Sequence, residues 1–176
     1  MSEVSTSSAP LIVTLTLDAA AQARFDELRR TYFPPERLHV GAHVTMFHAL
    51  PGEREEAVAE VVAEACADMQ PFEVRVAGVR FLGRGVAYML AAMEGVALRA
   101  RLAECFAEWL TAQDRAKRGL HVTVQNKVAP DVARRTEALL AGVALPCPIM
   151  ATGVALWRYR GGPWEAVAEY TFRVPG

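Results

Sequence analysis

Gly41-Ala42-His43-Val44-Thr45-Met46-Phe47 and Gly119-Leu120-His121-Val122-Thr123-Val124-Gln125 are two copies of one pattern, far apart in a chain of 176 residues. Each reads as a strand in which valine separates a histidine from a threonine, with a glycine two residues before the histidine. Side chains alternate faces along a strand, so His43 and Thr45 share a face about 7 Å apart, as do His121 and Thr123. Two such strands side by side turn two imidazoles and two hydroxyls toward one small anion. That is equipment for acid–base chemistry at a phosphate.

The flanking sequence repeats as well. Leu11 to Leu17 alternates apolar residues with threonine and reads as a strand, and Asp18 is placed to cap a helix that Pro34-Pro35 stops. The first tetrad follows in a strand from Leu38 to Leu50. Glu53 to Met69 has apolar residues at helical spacing, and Phe72–Leu82 and Val86–Met93 form a hairpin across Gly83-Arg84-Gly85. In the second half, Val96 to Leu110 is helical with Leu98, Leu102, Cys105, Phe106 and Trp109 as its stripe. Leu120 to Val128 carries the second tetrad, Pro130 opens a helix to Leu140, and Val143–Tyr159 pairs with Trp164–Val174 across Gly161-Gly162. No linker separates the halves, so the reading is one internally duplicated domain over 11–176, after a Ser-rich tail over 1–10.

Composition narrows the function. The chain is 52% hydrophobic and 22% charged, and its formal charge of −1 gives no basic coat for long nucleic acids. Three scattered cysteines fit a reducing, cytoplasmic setting rather than a disulfide framework, with Cys66 and Cys105 read as buried helix residues. No apolar run approaches the roughly 20 residues that span a bilayer. Partners are therefore expected to be small phosphorylated ligands or the end of an RNA strand, without membrane or extended duplex, and the protein is expected to be a monomer.

The duplicated His-x-Thr-x tetrads, half a chain apart on strands, resemble those of the two-histidine (2H) phosphoesterase superfamily, which includes the 2′-5′ RNA ligase-like proteins. The resemblance covers Leu11 to Val174. It implies an α+β, bilobal fold in which two pseudo-symmetric antiparallel sheets, with helices outside, enclose a cleft. It also implies hydrolysis of cyclic or 2′-5′ phosphodiesters, as in RNA processing, without metal or other cofactor. The chain departs from that family in having Ala42 and Leu120 where Pro often precedes the histidine, and Lys127 where an Arg commonly follows the second motif.

The chemistry needs one imidazole to take a proton from water and another to protonate the leaving ribose oxygen. The hydroxyls of Thr45 and Thr123 are then placed to donate to the non-bridging oxygens. His43, Thr45, His121 and Thr123 are the expected catalytic residues, with both histidines on central strands. Phe47, read on the His43 face, either stacks on a base or floors the cleft. Gln125 and Lys127, read on the His121 face, are candidate substrate contacts, Lys127 for phosphate and Arg118 as a weaker choice. Tyr159 and Arg160 are placed to border the cleft, and Trp164 reads as core. His48, five residues from His43, is expected on the opposite face, and His39 near the strand's start, so neither completes a metal site. A cyclic phosphate of ADP-ribose type or another phosphorylated metabolite, a nucleotide-binding module without turnover, and ligation by the reverse reaction stand as alternatives.

Overall fold

The computed structural model describes residues 8–117 and 119–176. Apart from the short α4, which the sequence reading does not predict, its elements follow the order read from periodicity: β1 (Leu11–Leu17), α1 (Ala19–Tyr32), β2 (Val44–Leu50), α2 (Glu55–Cys66), β3 (Phe72–Phe81), β4 (Val86–Ala91), α3 (Met93–Cys105), α4 (Ala112–Ala116), β5 (Leu120–Gln125), α5 (Pro130–Leu140), β6 (Ile149–Arg158) and β7 (Glu165–Thr171). The mixed helix–strand class with antiparallel pairing is as read. Asp18 caps α1 by accepting from Ala21 N–H at 3.0 Å, and its other oxygen accepts from Met150 N–H at 2.7 Å, which ties the helix start to β6. The Leu82–Gly85 turn needs a left-handed residue, and Gly83 supplies it with φ 89°.

The strands form a single antiparallel path, β2-β1-β6-β3-β4-β5, with β7 also paired to β6. β3 links the two parts of this path, the β2-β1-β6-β7 part and the β4-β5 part: its first residues, Phe72 to Val74, pair with β6 while Arg75 to Phe81 pair with β4. The motif strands therefore occupy the two ends of the path rather than central positions. The sheet coils far enough for β2 and β5 to come into contact. Within it, a continuous cluster runs from Leu11 and Val13 through Phe25, Phe47 and Tyr88 to Leu156 and Phe172.

The helices cover this core with apolar stripes, Ala21, Phe25 and Leu28 on α1 and Val58, Val62 and Ala65 on α2. On α3 the buried face is Gly95, Leu98, Arg99 and Leu102, so an arginine stands where cysteine was expected, and Cys105 is exposed. Cys66 is buried as read. Of the N-terminal tail, Met1 to Ser7 lie outside the described residues. Ala9 crosses so close above Gly52 that a Cβ there would meet its backbone, and Pro10 accepts the Tyr159 N–H. Among the described residues no helix is long and apolar enough to cross a membrane.

Candidate active site

His43 sits immediately before β2, and its Nδ1 is 2.8 Å from the Gly41 carbonyl. A carbonyl only accepts, so Nδ1 carries the proton, and neutral His43 keeps its lone pair on Nε2. Thr45 lies two residues on, 7% exposed, opposite Thr14 of β1. His121 and Thr123 stand on β5 opposite Met89 and Ala87 of β4. All four side chains line one cavity of about 150 Å³, together with Ile12, His48 and Trp164.

Beyond each threonine the simple alternation fails, for the same reason in both copies. Val13 pairs with Phe47 but Thr14 with Thr45, so Met46 is an extra residue in β2. Val86 pairs with Gln125 but Ala87 with Thr123, so Val124 is an extra residue in β5. A bulge of one residue exchanges the faces of everything that follows it. Phe47, expected on the His43 face, is instead fully buried and edge-on to Phe106 at 5.4 Å. Gln125, expected on the His121 face, is 2% exposed and donates through Nε2 to Thr136 of α5 at 2.8 Å. Neither reaches the cavity.

The first bulge brings His48 onto the cavity side, against the expectation that it faces away. A second irregularity sets His48 and Ala49 together opposite Ile12, and their N–H groups turn to Asp114 of α4. Asp114 is fully buried. It accepts from His48 N–H at 2.9 Å, from Ala49 N–H at 3.1 Å and from His48 Nδ1–H at 2.9 Å. Burial alone would raise this carboxyl, but the bonds from His48 and Ala49 hold it below the ordinary carboxylate range. Sequence reading missed Asp114. The available signal was Thr111-Ala112-Gln113-Asp114, a helix-start pattern whose threonine accepts the Asp114 N–H.

Two buried arginines hold the motif strands from opposite sides. Arg29 of α1 donates through Nε to the Val40 carbonyl and through a terminal nitrogen to Thr123 O at 2.7 Å. Arg99 of α3 donates through Nε to Met46 O at 3.1 Å, the carbonyl of the bulged residue, and through a terminal nitrogen to Asp114 O. The helix of each half thus grips the motif strand of the other. The fork geometry suits arginine, since one side chain spans two carbonyls. The signal was an arginine inside an apolar helical stripe, at Leu28-Arg29 and Leu98-Arg99.

Trp164, read as core, is at the site: its ring lies 4.4 Å from that of His43 and 6.0 Å from Trp157. Both tryptophans, with Thr14, Gln22, Gly41 and Glu169, line a neighbouring groove of about 260 Å³ that also reaches His43. Tyr159 is 44% exposed, and Arg160 is ion-paired with Glu165 at 2.8 Å; neither lines the cavity or this groove. Lys127 is exposed past the end of β5, in a left-handed conformation with φ 63°, and its N–H is held by Asn126. Arg118 lies outside the described residues. His39 lines a separate hollow beside Arg29 and Arg30.

The electrostatics favour neutral imidazoles. Burial pushes His43 down to about 4, against the Gly41 hydrogen bond that supports its charged form, and nearby Arg29 adds to the depression. Burial likewise pushes His121 to about 4, helped by the positive charge of Lys117. Lys117 is itself lowered to about 8, by burial and then by Arg99. Negative charge brought in by a bound anion would favour the protonated form of either imidazole. Among the described residues no three His, Cys, Asp or Glu side chains are grouped to hold a metal ion.

The sequence matches the family model of the 2′-5′ RNA ligase superfamily over residues 17–163. Comparison with curated proteins by sequence gives no match. Among solved structures, E. coli LigT complexed with 3′-AMP superposes with a TM-score of 0.55 at 16% identity, over 93% of this chain and 98% of that one. E. coli LigT complexed with phosphate gives 0.55 at 16% identity, over 95% and 99%. TT0787 of Thermus thermophilus gives 0.62 at 15% identity, over 95% and 100%. These likenesses concern the fold.

Proposed function

We propose, from the premise that this chain belongs to the 2′-5′ RNA ligase superfamily, that it is a metal-independent phosphodiesterase of nucleoside 2′,3′-cyclic phosphates or 2′-5′ phosphodiesters. The substrate is a nucleotide or an RNA terminus. The observation that carries the reading is the meeting of both His-x-Thr pairs in one cavity of about 150 Å³. In the proposed reaction one imidazole takes a proton from water as the water oxygen bonds to phosphorus. The other, as imidazolium, gives its proton to the ribose oxygen whose bond to phosphorus breaks. The product is a phosphomonoester on the remaining ribose oxygen. His43, with Nδ1–H on Gly41 and Nε2 unprotonated when neutral, is the residue prepared for the base role. Thr45 and Thr123 donate to the non-bridging oxygens as their charge grows.

The groove beside His43 extends the reading to the rest of the substrate. Its volume of about 260 Å³, two indole faces and the Gln22 and Glu169 side chains suit a nucleoside stacked and bonded at its edge. The formal charge of −1 favours short substrates over long strands. E. coli LigT has been crystallised with 3′-AMP, which is the kind of ligand this groove and cavity together would take.

The test is a screen of 2′,3′-cyclic nucleotides, 2′-5′ dinucleotides, cyclic ADP-ribose-type phosphates and RNA ends, with EDTA present and 2′ and 3′ products resolved. Turnover of a cyclic nucleotide in chelator is the expected result. Binding without turnover of any substrate would make the chain a nucleotide-binding module, and activity only with an added divalent ion would overturn the two-imidazole mechanism.

A further inference from the structure

The cavity contains a third imidazole that the paired tetrads leave unexplained. His48 lines it with His43 and His121, and its side chain is one-third exposed. Its orientation is built in depth. A bulge at Met46 turns it inward, a second irregularity frees its N–H and that of Ala49 from β1, and one fully buried carboxylate collects both N–H groups and the ring Nδ1–H. Asp114 is in turn fixed by Thr111 at its N–H and by Arg99 at its carbonyl. A buried aspartate that holds imidazole Nδ1–H fixes the ring's tautomer and direction and compensates the charge of an imidazolium. Among the described residues no carboxylate is bonded to either of the other two imidazoles, and burial depresses both.

We propose that His48, positioned by Asp114, is a third substrate-contacting residue of the cavity, an imidazolium that donates Nε2–H to a non-bridging oxygen of the bound phosphate. This rests on the reading of the cavity as a phosphodiester site. His43 and His121 move protons, whereas His48 holds the anion in place, so its worth lies in affinity for phosphate as well as in rate. The titratable groups around it are His43 ahead of β2, His121 on β5 and Asp114 on α4, while Lys117, after α4, acts on His121 and Asp114. Arg99 of α3 reaches the same carboxylate segment through the Asp114 carbonyl.

Two variants test it, His48→Phe, which keeps the ring volume without a donor, and His48→Gln, which keeps an N–H without the charge. Inorganic phosphate is titrated into wild type and both variants by calorimetry, and kcat and KM are measured on a 2′,3′-cyclic nucleotide. His48→Phe should bind phosphate at least about ten-fold more weakly, as loss of a charged hydrogen bond does, and lose on the order of 10² in kcat/KM. His48→Gln should fall between it and wild type. A His48→Phe protein with unchanged phosphate affinity and kcat/KM but a lowered melting temperature would make the pair purely structural and overturn the proposal. If wild type hydrolyses no cyclic phosphate, the functional reading fails, and the phosphate titration still decides His48. A ten-fold loss in the variant supports it, and equal affinity, or no binding by wild type, overturns it.

Discussion

At the scale of single residues, the depressed imidazoles change the pH dependence that ordinary histidines would give. Two histidines near 6.5 would place a bell around neutral pH. With His43 and His121 both near 4, the singly protonated free site is most populated around that value and declines above it. The kcat/KM profile should therefore fall through the neutral range, while the basic limb of kcat sits at higher pH because bound phosphate supports the imidazolium. Profiles on one cyclic nucleotide check this, and a symmetric kcat/KM bell centred at neutral pH would contradict it. His43→Ala and His121→Ala should each cost on the order of 10²–10⁴ in turnover. Folding stability carries the same sign. A histidine whose folded value is depressed contributes stability that is present above its unfolded value of about 6.5. That contribution is lost as pH falls through 6.5 toward about 4. The melting temperature should decline over that window, and less so in the two alanine variants.

At the scale of elements, the tetrads were legible because a histidine and a threonine two apart share a face whatever surrounds them. What lay one step further was not. Continuing the alternation assigns Phe47 and Gln125 to the site, and the bulges at Met46 and Val124 turn both into the core. The same bulge hid His48, whose inward position requires the extra residue. Bulges depend on what accepts the displaced backbone groups, and here those partners are distant: Asp114 for His48 and Ala49 N–H, Arg99 for Met46 O. Trp164 is misread as core because apolar content alone does not distinguish a buried indole from one lying on His43. The longer helices and the final hairpin were legible from their periodicity and turn residues, but the five-residue α4 was too short to show a period. The arginines give a prediction at this scale. Arg99→Lys keeps a charge but has no fork for two carbonyls, so it should cost about 2–4 kcal/mol in urea unfolding. It should also lower kcat by loosening the first motif, whereas Arg101→Lys on the exposed side of α3 should do neither.

At the scale of the whole molecule, the sequence suggests two halves in tandem, but the strand path does not divide that way. β6, late in the chain, lies between β1 and β3, and its hairpin with β7 completes the sheet that carries the first motif. Removal of residues 143–176 should therefore leave a chain without cooperative unfolding, even though it keeps both tetrads; far-UV dichroism and a denaturant titration check it, and a sharp transition would show that the first 142 residues fold alone. The shared strand has a mechanical consequence. Because β3 is bonded to β6 along its start and to β4 along the rest, no loose tether joins the walls of the site. Widening the gap between β2 and β5 means untwisting one continuous ribbon, and the compliance concentrates where β3 is irregular, between Val76 and Gly78, the latter with φ 151°. The molecule is built like a bent clip whose jaws, β2 and β5, are joined by the ribbon itself, and on the proposed reading the resting width between them would set the size of group the cavity takes.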